Sequence, residues 1–254
     1  MRLLEEIGYL FVRGLKQSMR PTAALLPSLF MPVFFFLISS AAFSSVARLP
    51  GFTSGSYLQF YAPAAILMAI FFSSGDAGID LVVDITSGYL DKLMIAPIHH
   101  LSIILGKLTA VGVRSMVQAT LVMIIILLAG GRIVTGLPGL VTILLLGGLF
   151  GIAWSAIGMS IALRTRNQRA TQSSFILFFP FTFVTTSQMP LNLLHGWYRA
   201  AVQLNPVTYV LEAIRSVTSV GWDGRVIGMG FLVALCTGVC TISFALVSFR
   251  KAIP

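Results

Sequence analysis

The chain has 254 residues, of which 57% are hydrophobic and 10% charged, and its mean hydropathy is +0.93. An average soluble domain is about 25% charged, so too few charges remain to cover a water-exposed globule. Disorder, collagen and coiled coil are excluded on the same grounds. The excess of seventeen Lys and Arg over eight Asp and Glu, +9 overall, lies in short segments between apolar runs. That is the pattern of membrane topology rather than of nucleic-acid binding.

The first twenty residues hold Arg2, Glu5, Glu6, Arg13, Lys16 and Arg20, and no compact apolar core with a cleavage site is read there. Instead Leu3, Leu4, Ile7, Leu10, Phe11, Gly14 and Leu15 share one helical stripe. The spacing predicts a helix over 1–20 lying in the membrane interface, broken from the first apolar stretch at Arg20-Pro21.

A bilayer core needs roughly 20 apolar residues in helix. Six stretches are expected to qualify: Pro21 to Phe43, about Tyr57 to Val83, about Leu108 to Ala129, Leu137 to Leu163, Ala170 to Met189 and Val226 to Ser248. Placed between them, Lys and Arg divide unequally. Positions 2, 13, 16, 20, 92, 107, 114, 164, 166, 169, 250 and 251 fall on one side, and 48, 132, 199, 215 and 225 on the other. The richer side is expected to be cytoplasmic, with both termini there, in a cell membrane of bacterial type.

After the second stretch, Thr86 or Ser87 is expected to cap a short helix of about three turns. It carries Tyr89, Leu90, Leu93 and Met94 and ends at Ala96-Pro97. Between the fifth and sixth stretches, Leu193, Leu194, Trp197, Ala200, Ala201 and Leu204 form one apolar face. Asn205-Pro206 then restarts the helix as a cap and first-turn pair, and Val207, Val210, Leu211, Ile214 and Val217 form a second face. Both are too short to span and too apolar to be free loops, which predicts an outer re-entrant hairpin over 190–220. The expected fold is therefore an all-α polytopic membrane protein of one domain, 1–254. It has six transmembrane helices, an interfacial helix, a cytoplasmic short helix over 86–98 and the outer hairpin.

Candidate chemistry is sparse. A phosphate-cradling GxxxxGK[ST] loop is absent, since Gly106-Lys107-Leu108 lacks the upstream glycine and the hydroxyl. The chain is not expected to be an enzyme or to hydrolyse ATP. Asp76, Asp80 and Asp84, spaced by four, form a carboxylate stripe. They read either as an ion path or as acids standing in the headgroup region, where Asp84 pairs or caps. His99-His100 do not converge on one metal, and Cys236 and Cys240 read as packing residues. Glu212 and Arg215, three apart, are an intrahelical pair or a buried polar patch. Gln118, Trp154, Gln172, Phe178, Glu212 and Arg215 are the candidates for a substrate path. No metal site and no bound cofactor is expected.

Two stretches carry a family likeness. One is Asp84-Ile-Thr-Ser-Gly88-Tyr-Leu-Asp-Lys-Leu93-Met-Ile-Ala-Pro97-Ile98, with Leu105-Gly106-Lys107 after it. The other runs Gln188-Met-Pro190-Leu191, Leu204-Asn205-Pro206-Val207-Thr208-Tyr209 and Glu212-Ala-Ile-Arg215. In order and spacing they resemble the membrane subunit of ABC type-2 exporters, the permeases of drug-resistance and polysaccharide export, over nearly the whole chain. The resemblance implies that the short helix is a coupling helix seated on a separate cytoplasmic ATPase through Tyr89, Leu90, Leu93, Met94 and Pro97. It also implies a dimer with a second copy or a paralogue, and ATP and Mg held by the partner ATPase. The expected cargo is an amphiphilic drug or lipid-like compound moved outward. Polysaccharide or glycolipid export is the alternative substrate, and an ion-coupled transporter using Asp76, Asp80 and Asp84 the alternative mechanism.

Overall fold

The computed structural model describes the backbone of residues 2–19, 22–48, 52 and 56–252, and the side chains of 3–17, 28–48, 52, 56–99, 101–173 and 176–250. The expected break at Arg20-Pro21 and the side chains of Arg2, His100, Ser174, Phe175 and Lys251 lie outside the described residues.

In chain order the helices are α1 (Arg2–Met19), α2 (Thr22–Ala42), α3 (Tyr57–Thr86), α4 (Tyr89–Ile95), α5 (His100–Leu128) and α6 (Gly136–Thr165). After these come α7 (Gln168–Gln172), α8 (Ser174–Phe183), α9 (Gly196–Leu204), α10 (Pro206–Arg215) and α11 (Gly224–Ala252). Short 3-10 turns lie at Ser44–Arg48 and Leu191–Leu193, and a π-helical turn, Ser216–Val220, succeeds α10.

Four described helices are long and apolar enough to cross a membrane: Tyr57–Thr86, Leu101–Leu128, Gly136–Thr165 and Gly224–Arg250. The expectation of six is corrected at the first and fifth stretches. In the first, the apolar helical run over described residues is the shorter Ser28–Ala42, and the chain tightens into a 3-10 turn at Ser44. In the fifth, Ala170 to Met189 is no continuous span. It breaks at Ser173 into α7 and α8, and α8 carries Pro180 and stops at Phe183. Thr185, Thr186 and Ser187 then turn the chain with their side chains buried. Hydropathy summed over this stretch counts apolar residues without noticing that proline and clustered hydroxyls interrupt the backbone ladder.

Cross-links fix which helix ends lie together. Asp84 at the end of α3 meets Lys107 near the start of α5. Arg164 at the end of α6 donates to Ser248 Oγ near the end of α11 at 2.9 Å. At the opposite end, Gln59 of α3 donates to the carbonyls of Arg132 and Thr218, both at 2.7 Å, and Thr135 donates to Val217 O at 2.8 Å. So α3, α6 and α11 run in one sense and α5 in the other. The chain returns between α6 and α11 through the short helices α7 to α10.

Inside lipid there is little hydrophobic drive between helices, and close backbone approach through small residues replaces it. At Gly78 a Cβ would lie 2.6 Å from the carbonyl oxygen of Gly158, so α3 and α6 touch backbone to backbone. At Gly106 a Cβ would lie 2.6 Å from Leu10 Cβ, and at Gly14 one would lie 2.9 Å from Ala110 Cβ, which seats α1 directly on α5. Leu10 joins a buried cluster built on Leu81, Ile103, Leu108, Met159, Leu163 and Phe249. Leu4, placed on the same stripe by the sequence, is instead 74% exposed.

Candidate coupling end and transport path

The end of the bundle that carries α1 and α4 is built around Asp84. Its carboxylate is nearly inaccessible, and an isolated buried charge there would be very costly. Two cations balance it: the ammonium of Lys107 from α5 and the guanidinium of Arg13 from α1. Arg13 is bidentate, with Nη2 3.0 Å from Oδ1 and Nη1 3.3 Å from Oδ2. The same guanidinium lies over the ring of Tyr89, the first residue of α4, at 3.4 Å from its centroid. One side chain thus touches both the long helix and the short one.

The short helix forms differently from expectation. Thr86 and Ser87 do not cap it. Thr86 Oγ1 donates back to Val82 O and Ser87 Oγ to Asp84 O, so both close the end of α3. The cap position is Gly88, in the left-handed region at φ 68°, where a residue without Cβ is unstrained. That turn lets α4 start one residue later, and its seven residues make about two turns rather than three. Ala96 is extended before Pro97 and ends it.

One face of α4 looks inward and the other outward. Leu90, Leu93 and Met94 are half-buried against the chain's own core. Tyr89 is half-buried under Arg13. Asp91, Lys92 and Pro97 are exposed, and Ile95 is 86% exposed. The sequence pattern did not single out Ile95 because it falls off the stripe.

A second tie joins α1 to the start of α5. Glu6 accepts from Ser102 Oγ at 2.7 Å and from the backbone N–H of His99 at 3.0 Å, with His99 Nδ1 at 3.2 Å. The Ser102 hydroxyl foremost, then the His99 N–H, hold the Glu6 carboxyl below the ordinary carboxylate range. Glu6 therefore acts as a capping group for α5, although it lies 93 residues away from His99. His99 is engaged in this contact.

The other two aspartates lie one and two turns before Asp84 on the same helix. Asp76 pairs with Arg114 of α5 at 2.6 Å. Asp80 lines a small cleft with Gly14, Gln17, Lys107 and Ala110.

The candidate path residues fall into separate groups. Trp154 and Phe178 meet around Phe71, with centroids 4.5 and 4.7 Å from it in edge-to-face geometry. These rings line one narrow cleft with Ser74, Gly75, Ile157 and Gly158. Glu212 and Arg215 form a second group. Arg215 is buried, stacks 4.1 Å from the centroid of Phe60, and donates to Thr186 Oγ1 at 3.1 Å and Thr186 O at 2.7 Å. It also pairs with half-exposed Glu212, which accepts from Thr186 as well. Gln118 belongs to neither group and donates to Ser28 Oγ of α2 at 2.8 Å. Gln172 is exposed at the end of α7.

Asn205 caps α10 by accepting from Val207 N at 3.0 Å, with Pro206 at the first helical position as the sequence indicated. Its amide also donates to Phe181 O at 2.8 Å and Val184 O at 2.6 Å, which the sequence did not reveal.

A bundle of long apolar helices, closed by buried ion pairs at one end and a short-helix hairpin at the other, defines a polytopic α-helical membrane protein. The family model for the ABC-2 type transporter matches residues 5–219, and the chain belongs to that family. It is 25% identical over 231 residues to the daunorubicin resistance ABC transporter permease protein DrrB1 of Streptomyces coeruleorubidus, covering 89% of this chain and 76% of the relative. It is 24% identical over 241 residues to the probable doxorubicin resistance ABC transporter permease protein DrrC of Mycobacterium tuberculosis, covering 94% and 86%. A transport permease of Cyanophora paradoxa, ycf38, is 25% identical over 218 residues, covering 85% and 75%. The chain is thus an ABC-2 permease subunit related to drug-resistance permeases. By family analogy, ATP hydrolysis belongs to a separate ATPase.

Proposed function

We propose that this chain is the membrane half of an ATP-driven exporter that moves an amphiphilic drug-like or lipid-like compound outward. It works as a dimer with separate cytoplasmic ATPase subunits. The observation that carries this reading is α4: a two-turn knob rooted by Leu90, Leu93 and Met94 and presenting Ile95 and Pro97 outward. Tyr89, Leu90, Leu93, Met94 and Pro97 act as the coupling unit, with Ile95 as its most exposed apolar tip. The end carrying α1, α4 and the α6–α7 turn faces the cytoplasm, in keeping with Lys92, Lys107, Arg164, Arg166, Arg169 and Arg250 at that end.

Trp154 and Phe178 offer aromatic edges to a flat apolar cargo, and the Glu212–Arg215 pair stands at the outer end of the route. Daunorubicin and doxorubicin, the compounds in the names of DrrB1 and DrrC, are the first probes of cargo. The ion-coupled alternative is disfavoured by geometry, because Asp76 and Asp84 already face Arg114, Arg13 and Lys107 within the chain.

The test is co-purification in mild detergent. A soluble ATPase is expected to accompany the chain in stoichiometric amount. Ile95→Asp is expected to release it while the permease keeps its elution profile, because the Ile95 side chain points away from the core. A chain that purifies alone, or an Ile95→Asp variant that holds the ATPase normally, overturns the assignment.

A further inference from the structure

Arg13 belongs to neither the expected docking ridge nor the candidate path, yet it links three helices. Its two guanidinium nitrogens clamp Asp84 at the end of α3. Its π face lies on Tyr89 at the start of α4. Its backbone is in α1, which is seated on α5 through Gly14 and Gly106 and tied to the start of α5 through Glu6. The planar fork suits this double duty, since an edge binds the carboxylate while the face remains free for the ring. The lysine on the same carboxylate, Lys107, is a point charge without such a second face, and its ammonium holds Asp84 and the Asp80 carbonyl.

Apart from the packing of Leu90, Leu93 and Met94 on the core, α4 is joined to α3 only through Ser87 and the left-handed Gly88, a two-residue joint at which glycine tolerates a change of backbone angle. With Arg13, that joint is bridged. We propose that Arg13 is a positioning residue for energy coupling: it locks α4 and α1 to α3, so that a displacement of the knob is delivered to the membrane helices instead of being absorbed at Gly88. This rests on the reading of α4 as the ATPase-coupling helix and assigns the regulation of that same site.

The experiment uses the full permease with the ATPase that co-purifies with it, reconstituted in phospholipid vesicles. Two quantities are read: the affinity of the ATPase for the permease, and the difference in ATPase rate between the complex and the ATPase alone. In Arg13→Gln the affinity is expected to stay as in the parent, because α4 keeps its exposed tip. The rate difference is expected to collapse by roughly fivefold or more, the lower range of measured coupling between linked sites.

Arg13→Lys keeps a charge for Asp84 but not the two-sided fork. It is expected to fall between parent and Arg13→Gln, and it carries the test if Arg13→Gln does not fold. An unchanged rate difference at saturating ATPase overturns the proposal. So does a loss of affinity with the rate difference intact at saturation, which would make Arg13 a merely structural support. Failure of the parent chain to bind any ATPase would instead overturn the coupling-helix reading itself.

Discussion

The guanidinium of Arg13 lies 3.4 Å above the ring of Tyr89 while its edge clamps Asp84. Those residues come from α1, from the two-turn α4 and from the long apolar helix α3. This contact makes the end of the bundle a single body, and the neighbouring charges show how finely that body is balanced.

Asp84→Asn should be strongly destabilising. It leaves the buried Lys107 and the half-exposed Arg13 without their common counter-charge, a loss of about 3 kcal/mol carried mainly by Lys107. Thermal unfolding in detergent should show a lowered midpoint. The double variant Asp84→Leu with Lys107→Met should recover much of it, because neither buried charge then remains. Equal damage in the double variant would argue against the ion pair as the cause.

Gly106→Ala and Gly8→Ala should have opposite signs. A methyl at 106 meets Leu10 Cβ at 2.6 Å and pushes α1 off α5, at a cost of about 1–3 kcal/mol. A methyl at 8 meets nothing within 4 Å and should gain up to about 1 kcal/mol in helix propensity. Amide hydrogen exchange of α1 reads both. Equal protection in the two variants would contradict the close approach.

The attachment of α1 should weaken in acid. The Glu6 carboxyl is held below its ordinary value, by Ser102 foremost. A depressed carboxylate contributes stability that is complete above its unfolded value and is lost as pH falls through the folded one. Hydrogen exchange of α1 should therefore accelerate only below the ordinary glutamate range. Glu6→Gln should remove that dependence and show intermediate protection at all pH values.

Arg215→Lys should loosen α10 from the Thr186 turn and from Phe60. Lysine loses the stack on Phe60 and cannot make both contacts to Thr186 with the same fork. Hydrogen bonds to a charged group are worth about 1.5–3 kcal/mol, so the expected loss is of that size. A double-variant cycle with Thr186→Val should show strong non-additivity. Simple additivity would mean that the two residues do not act together.

The long spans α3, α5, α6 and α11 were legible in the sequence because each is an uninterrupted apolar run. The Asn205-Pro206 restart was legible because cap and first-turn proline are local signals. The broken fifth stretch was not, since mean hydropathy over Ala170 to Met189 hides Pro180 and the hydroxyl cluster after it. The pairing of Arg215 with Glu212 was legible from their spacing, but the partners of Arg13 and Glu6, and the Thr186 and Phe60 contacts of Arg215, were equally hidden. Arg13 and Asp84 are 71 residues apart, and nothing local tells an arginine on an amphipathic helix which carboxylate it will meet. The start of α4 was misjudged for a related reason: Thr86 and Ser87 fit a cap locally, but the preceding helix claimed them first.

The hand-over of α8's last carbonyls bears on how the protein is made. Phe181 O and Val184 O are satisfied by Asn205, and Phe183 O by the Tyr198 hydroxyl at 2.6 Å. Both donors lie downstream of α8. In hydrocarbon an unsatisfied carbonyl is costly, so a nascent chain that has reached only Val184 has nowhere within itself to place that helix end. Stable placement of this helix end is therefore expected only once Tyr198 and Asn205 have been made.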